Sequence, residues 1–84
     1  MKVTLKLYAM LSDYLPDEAR KSNALELELD AGTTIAQVIE SQKLPLKLCQ
    51  LVLIDGEFVP PSVRAKRPLT EGETLAIWPP IAGG

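Results

Sequence analysis

An α+β fold is predicted for this chain: a mixed sheet of about five short strands over one main helix, with a short first helix after the opening strand. Three observations carry that prediction. Two runs alternate strictly, Val3, Leu5 and Leu7 against Lys2, Thr4 and Lys6, and Leu25, Leu27 and Leu29 against Glu26 and Glu28, which is the period of half-buried strands. One segment, Thr34 to Gln42, carries apolar residues at helical spacing behind a capping signal. Asp55-Gly56 lies between two β-rich runs, where a tight hairpin needs residues that accept positive φ.

The first run, Lys2 to Leu7, is a strand with one wet face. Ala9 to Leu15 follows with helical spacing and is closed by Pro16, because the residue before a proline avoids helical backbone angles. Pro16 to Asn23 is polar and reads as loop. Leu25 to Leu29 is the second strand, with an acidic outer face, and Asp30-Ala31-Gly32 turns the chain. Thr34 fits a helix N-cap and Gln37, three residues on, completes a capping box. Ile35, Val38 and Ile39 then share one face of a helix from Ile35 to Gln42, which Leu44-Pro45 ends. Leu51 to Ile54 and Glu57 to Val59 form the hairpin, stopped by Pro60-Pro61, since proline cannot donate to a ladder. Ser62 to Pro68 is loop, and Glu71-Gly72-Glu73 is a second tight turn. Thr74 to Trp78 is the last strand, with Leu75 and Ile77 on one face and Ala76 and Trp78 on the other. Strands this short cannot bury an apolar face unaided, and the helix from Ile35 supplies the cover.

The 84 residues make one domain near the lower limit of those that fold unaided. A net charge of −2 and a pI near 5.0 argue against nucleic acid as a partner, which selects a clustered basic surface. Arg64, Lys66 and Arg67 are expected in a solvated loop, and Asp55, Glu57, Glu71 and Glu73 as solvated turn charge. One cysteine, Cys49, and no histidine exclude an internal disulfide and a Cys/His metal cluster. Cys49 is expected to be a buried small hydrophobe. No metal is expected, and no bound cofactor. The opening residues lack the apolar core of a signal peptide and no run could span a bilayer, so no membrane role and a cytoplasmic location are expected.

The last residues are the most telling. The strand runs with no polar spacer into Pro79-Pro80-Ile81-Ala82-Gly83-Gly84. Loosely held ends are ordinary, but they tend to be polar, and this one is thin, stiff and then bare. Residues 1–78 are therefore assigned to the domain and 79–84 to an extended tail. Gly84 would leave a terminal carbonyl carbon unshielded, and Gly83 and Ala82 keep the stem narrow. Pro79-Pro80 would hold it extended, and the six residues reach roughly 18–20 Å. Two roles are open for Trp78, an exposed anchor for a partner or a tryptophan at the rim of the core. Phe58 could extend such an anchor, although packing beneath the hairpin is the expected role. Ile81 is expected to fill a partner pocket. No nucleophile–base pair and no phosphate loop is present, so the chain would carry a reacting group without supplying catalytic machinery.

Taken together, Tyr8-Ala9-Met10-Leu11, Gly32-Thr33-Thr34-Ile35-Ala36, Asp55-Gly56-Glu57, Pro68-Leu69-Thr70-Glu71-Gly72-Glu73 and Pro79 to Gly84 resemble, over the whole chain, the ubiquitin-like β-grasp sulfur carriers of the MoaD/ThiS family. The resemblance implies that an E1-like enzyme adenylates the Gly84 carboxylate with ATP. Sulfur from a persulfide then displaces AMP and leaves a C-terminal thiocarboxylate, 1-thioglycine. It implies a carrier protein, monomeric when free, serving the large subunit of molybdopterin synthase in one branch or thiazole synthase in the other, with a paralogue serving another sulfurated metabolite as a further alternative. The Pro79-Pro80-Ile81-Ala82 stem looks like the molybdopterin branch, and Phe58 to Ser62 like the thiamine branch. Met10-Leu11-Ser12-Asp13 stands where molybdopterin-type members often carry an arginine. A ubiquitin-like modifier that forms isopeptide bonds through Gly84 is the alternative from another class.

Overall fold

A computed structural model describes residues 1–80, and Ile81, Ala82, Gly83 and Gly84 lie outside the described residues. The described residues form a five-stranded mixed sheet in the order β2-β1-β5-β3-β4. The strands are β1 (Lys2–Leu7), β2 (Ala24–Glu28), β3 (Leu51–Ile54), β4 (Glu57–Phe58) and β5 (Thr74–Trp78). β1 and β5 run parallel at the centre, with Leu5 beside Leu75 and Leu7 beside Ile77. The β1–β2, β3–β5 and β3–β4 pairs are antiparallel. One main helix, α2 (Ile35–Ser41), lies on one face. The predicted mixed sheet over a main helix is what the structure shows.

The helix starts where its sequence says it should. Thr34 Oγ1 accepts from Gln37 N–H at 3.2 Å, and Gln37 Oε1 accepts from Thr34 N–H at 2.9 Å, so two otherwise unpaired donors are satisfied reciprocally. Its end differs in detail. Lys43 takes the left-handed conformation, φ 57°, and Leu44 N–H reaches back to Ile39 O at 3.1 Å. That Schellman closure, not Pro45, ends the helix. Ile35, Val38 and Ile39 are fully buried against the sheet, each adding roughly 1.5–3 kcal/mol. Facing them are Val3, Leu5, Leu7, Val52, Ile54, Leu75 and Ile77, and no polar side chain is buried among the described residues.

The short first helix is present, and local details differ from expectation. The first helix, Ala9–Tyr14, is a 3-10 helix: Leu11 N–H bonds Tyr8 O and Leu15 N–H bonds Ser12 O, while Leu11 and Leu15 fill the core. The polar stretch after Pro16 is not all loop. It holds a one-turn helix, α1 (Asp17–Arg20), with Ala19 buried and Arg20 paired to Asp17 at 3.0 Å. Four residues are too few to display a period. Short 3-10 turns also occupy Leu46–Leu48 and Pro61–Val63. The hairpin behaves as predicted, with φ of 49° at Asp55 and 87° at Gly56, the two positive values a type I′ turn needs.

Asp55, Glu57 and Glu71 are exposed at their turns, as expected, whereas Glu73 is partly buried and takes a structural part. Glu73 grips Arg67 through both oxygens, at 2.8 and 3.2 Å, and also accepts from Thr70 N–H at 2.7 Å. The Arg67 hydrogen bond holds the Glu73 carboxyl below its ordinary value. Glu71 accepts from Lys2 N–H and Asp55 from Thr74 N–H. Arg64 donates to the carbonyls of Cys49 and Gln50, at 2.8 and 3.2 Å. These side chains fasten backbone that would otherwise lack partners.

Candidate functional site

β5 leads to the tail, and the sheet register determines where. Because β5 runs parallel to β1 with Leu7 beside Ile77, the two strands finish at the same end of the sheet. Tyr8 N–H donates to Ile77 O at 3.2 Å on one side, and Gln50 N–H donates to Trp78 O at 3.1 Å on the other. The strand is thus held on both flanks through Trp78. Pro79 and Pro80 have no N–H to continue the ladder, and the chain leaves the sheet there, with Pro79 half-buried and Pro80 exposed.

Cross-strand pairs place Lys6, Ala76, Leu53 and Phe58 on one face, and alternation adds Trp78 and its partner Leu51. This is the face turned away from α2. Trp78 is half-buried there, and its ring stacks on Tyr8 with centroids 4.2 Å apart and planes 5° from parallel. Such a pair adds about 0.5–1.5 kcal/mol beyond its buried area. Phe58 was expected beneath the hairpin; instead it is 57% exposed on the open face, because its register partner is Leu53 rather than a core residue. Leu51 is 38% exposed. An apolar band therefore runs from the Tyr8–Trp78 stack across Leu51 and Leu53 to Phe58. The other half of the same face is charged, with Lys2 and Glu26 3.8 Å apart.

Sequence reasoning named Trp78 and Phe58 but missed what joins them. Leu51 to Ile54 is a continuous apolar run, so no period shows which residues face out. Tyr8 had a usable signal: it continues the Lys2, Thr4, Lys6 parity by one residue, just as Trp78 follows Ala76. Ile81, Ala82, Gly83 and Gly84, expected to thread a channel and to present the reactive carboxylate, fall outside the described residues.

Elsewhere the surface offers little chemistry. One depression, about 550 Å3 between Glu28–Asp30 and α2, lies at the opposite end of the sheet from Pro79, since Glu28 pairs with Lys2 and not with Leu7. Among the described residues no group of three or more Cys, His, Asp or Glu could hold a metal. Cys49 is buried, which pushes its thiol up, against a smaller opposite effect of Arg64. Among the described residues no helix is long and apolar enough to cross a membrane.

Several solved structures share this architecture. The crystal structure of SAMP1 from Haloferax volcanii matches over all of both chains, at 19% identity and a TM-score of 0.69. The solution structure of the Haloferax volcanii HVO 2177 protein covers the whole of this chain and 87% of its own, at 21% identity and a TM-score of 0.77. A protein–protein complex of subunits 1 and 2 of molybdopterin-converting factor from Helicobacter pylori contains a chain that matches end to end, at 12% identity and a TM-score of 0.63. At these identities the likeness is one of fold, and it shows the expected ubiquitin-like β-grasp. No curated protein sequence matches. The family model described as Mut7-C ubiquitin matches residues 1–82, and the chain belongs to that family.

Proposed function

We propose that this domain is a carrier whose Gly84 carboxylate is activated as an acyl adenylate and converted to a thiocarboxylate. The observation that supports the reading is the joint placement of Pro79-Pro80 and the apolar band. β5 directs Pro79-Pro80 out of the sheet beside the Tyr8–Trp78 stack, on the face where Phe58 and Leu51 stay exposed. A partner seated on that band would receive the tail in a defined direction.

A carboxylate is a poor electrophile because its charge is delocalised. Attack of a Gly84 oxygen on the α-phosphorus of ATP, with loss of pyrophosphate, makes AMP the leaving group and splits one hard displacement into two easier ones. A persulfide on the activating enzyme or its sulfur donor then displaces AMP. Reduction of the resulting acyl disulfide by a thiol releases the thiocarboxylate. The domain's part is positioning: Trp78 and Phe58 dock the E1-like enzyme, Ile81 fills a pocket, and Gly83-Gly84 let the tail enter a narrow channel. ATP is used by the enzyme and no cofactor is held by the carrier.

For the sulfur acceptor we infer the large subunit of molybdopterin synthase, supported by the Pro79-Pro80-Ile81-Ala82 stem and by the two-subunit assembly in which the Helicobacter pylori neighbour occurs. Thiazole synthase is the corresponding partner in a thiamine role. A modifier that transfers the same activated carboxylate to lysines shares every step up to the adenylate. Incubation with ATP, the E1-like enzyme and a persulfide donor separates the two. A carrier gains the mass of one oxygen-for-sulfur exchange at Gly84, and a modifier appears in higher-mass conjugates. An unchanged mass with no conjugates would sink both.

A further inference from the structure

On the helix side of the sheet, away from the apolar band, a groove runs between α2 and two neighbouring turns. Two adjoining hollows, of about 490 Å3 and about 300 Å3, share Ala36, Ile39 and Leu46 in their walls. Leu44 and Pro45 close one end, and Pro61 and Ala65 the other. The walls are fastened together by backbone, with Ala36 N–H on Arg64 O at 3.0 Å, and by the Arg64 fork on Cys49 O and Gln50 O. Leu46, at the tip of its 3-10 turn, is 75% exposed, although core positions lie close by. An exposed leucine standing singly is ordinary, but this one forms the lip of an apolar groove.

Lys43 and Arg64 line the groove, and two further exposed lysines, Lys47 and Lys66, stand next in sequence to the lining residues Leu46 and Ala65. None of the three lysines has an ion-pair partner among the described residues, whereas Lys2, Arg20 and Arg67 do. Glu40 is the one carboxylate lining either hollow among the described residues. These lysines sit on a chain whose net charge is −2, so their grouping is a local feature rather than a reflection of composition.

We propose that this groove docks an apolar segment of a partner protein whose flanking residues are acidic. Leucine-like side chains would fill the hollows beside Ala36, Ile39 and Leu46, and carboxylates would meet Lys43, Lys47 and Lys66. Apolar anchors supply affinity, and the complementary rim supplies selection and faster encounter. The groove and the open sheet face lie on opposite sides of the sheet, so one partner can hold the domain while another receives the tail. The inference does not rest on the fate of Gly84.

The test uses the 15N-labelled chain and two synthetic amphipathic peptides of equal length and leucine pattern, one with glutamate and one with lysine at the polar positions. The glutamate peptide should shift the amide signals of Ala36, Ile39, Leu46 and Ala65 and leave those of Leu53 and Ala76 in place. Leu46→Glu should weaken it at least about tenfold, the loss of a central anchor, and Lys47→Glu about threefold to tenfold, more at low salt. Both positions are exposed, so unchanged signals elsewhere verify the fold of each variant. The proposal is overturned if the glutamate peptide does not bind, if the lysine peptide binds as well, if the shifts map to the sheet face, or if sedimentation shows a second copy of the chain filling the groove.

Discussion

On the covered face of the sheet Val3, Leu5, Leu7, Val52, Leu75 and Ile77 are buried almost completely, whereas on the open face Phe58 is 57% exposed and Leu51 38%. The same strands build both faces, residue by residue in alternation. One side is aliphatic, closed by α2 and the Ala9–Tyr14 turn. The other carries the aromatic pair Tyr8–Trp78 and an apolar band with nothing over it among the described residues. Burial explains the first set of side chains. It does not explain the second, since Phe58 gives little to folding where it stands. The difference separates residues that hold the domain together from residues available to a partner, and substitutions can test that separation.

The largest stability effect belongs to the covered face. Ile39→Ala should cost about 2–5 kcal/mol, because a buried side chain is deleted and the helix–sheet layer closes only in part. Denaturant unfolding reads this directly. Trp78→Ala comes next, and its effect should fall mainly on docking. Loss of a central aromatic anchor is worth about 2 kcal/mol, roughly thirtyfold in affinity for the activating enzyme. Stability should drop as well, by about 0.5–1.5 kcal/mol for the stack on Tyr8 and by the apolar area that its half-buried ring gives up. A larger loss of stability than of affinity would make Trp78 a residue of the fold.

Glu73→Gln should cost about 1–2 kcal/mol, since one charge-assisted bond to Arg67 is weakened and Arg67 is itself partly exposed. The sign of its pH dependence follows from the lowered folded pKa of Glu73. The contribution is fully present above the unfolded glutamate value, about 4.3, and is lost as pH falls through the lower folded value. Melting curves of the parent and the Gln variant should therefore converge on acidification. The smallest effect on folding is expected at Phe58. Phe58→Ser should change stability by no more than about 0.5 kcal/mol and yet raise the KM for the activating enzyme about fivefold, which corresponds to about 1 kcal/mol.

Much of the fold was legible because its signals are local. Thr34 and Gln37 sit three residues apart and cap each other, and Asp55-Gly56 needs no distant information to turn. Features that depend on register were harder to read. Phe58 looked like a residue beneath the hairpin until its pairing with Leu53 turned it outward. Leu51 and Leu53 were hidden inside an apolar run without a period. The turn acids Asp55, Glu57 and Glu71 are exposed as expected, but the backbone bond that Glu71 makes was hidden because its partner, Lys2, lies 69 residues away. The segment Ala9–Tyr14 starts from Tyr8, whose N–H is anchored to Ile77 O of β5, and that anchor is a tertiary fact. For the site, the two ends of the apolar band were readable as residue types, and the surface between them was not.

The central claim concerns Gly84, and the most direct measurement is the mass of the C-terminal fragment of the protein recovered from its own cells with sulfur transfer active. The account predicts a fragment ending at Gly84 that carries one sulfur in place of a carboxylate oxygen, and the loss of that form on Gly84→Val, where a branched side chain crowds the carbonyl carbon. A fragment that keeps its plain carboxylate under every sulfur supply, or one in which Gly84 is joined by a peptide bond to further residues, would contradict it.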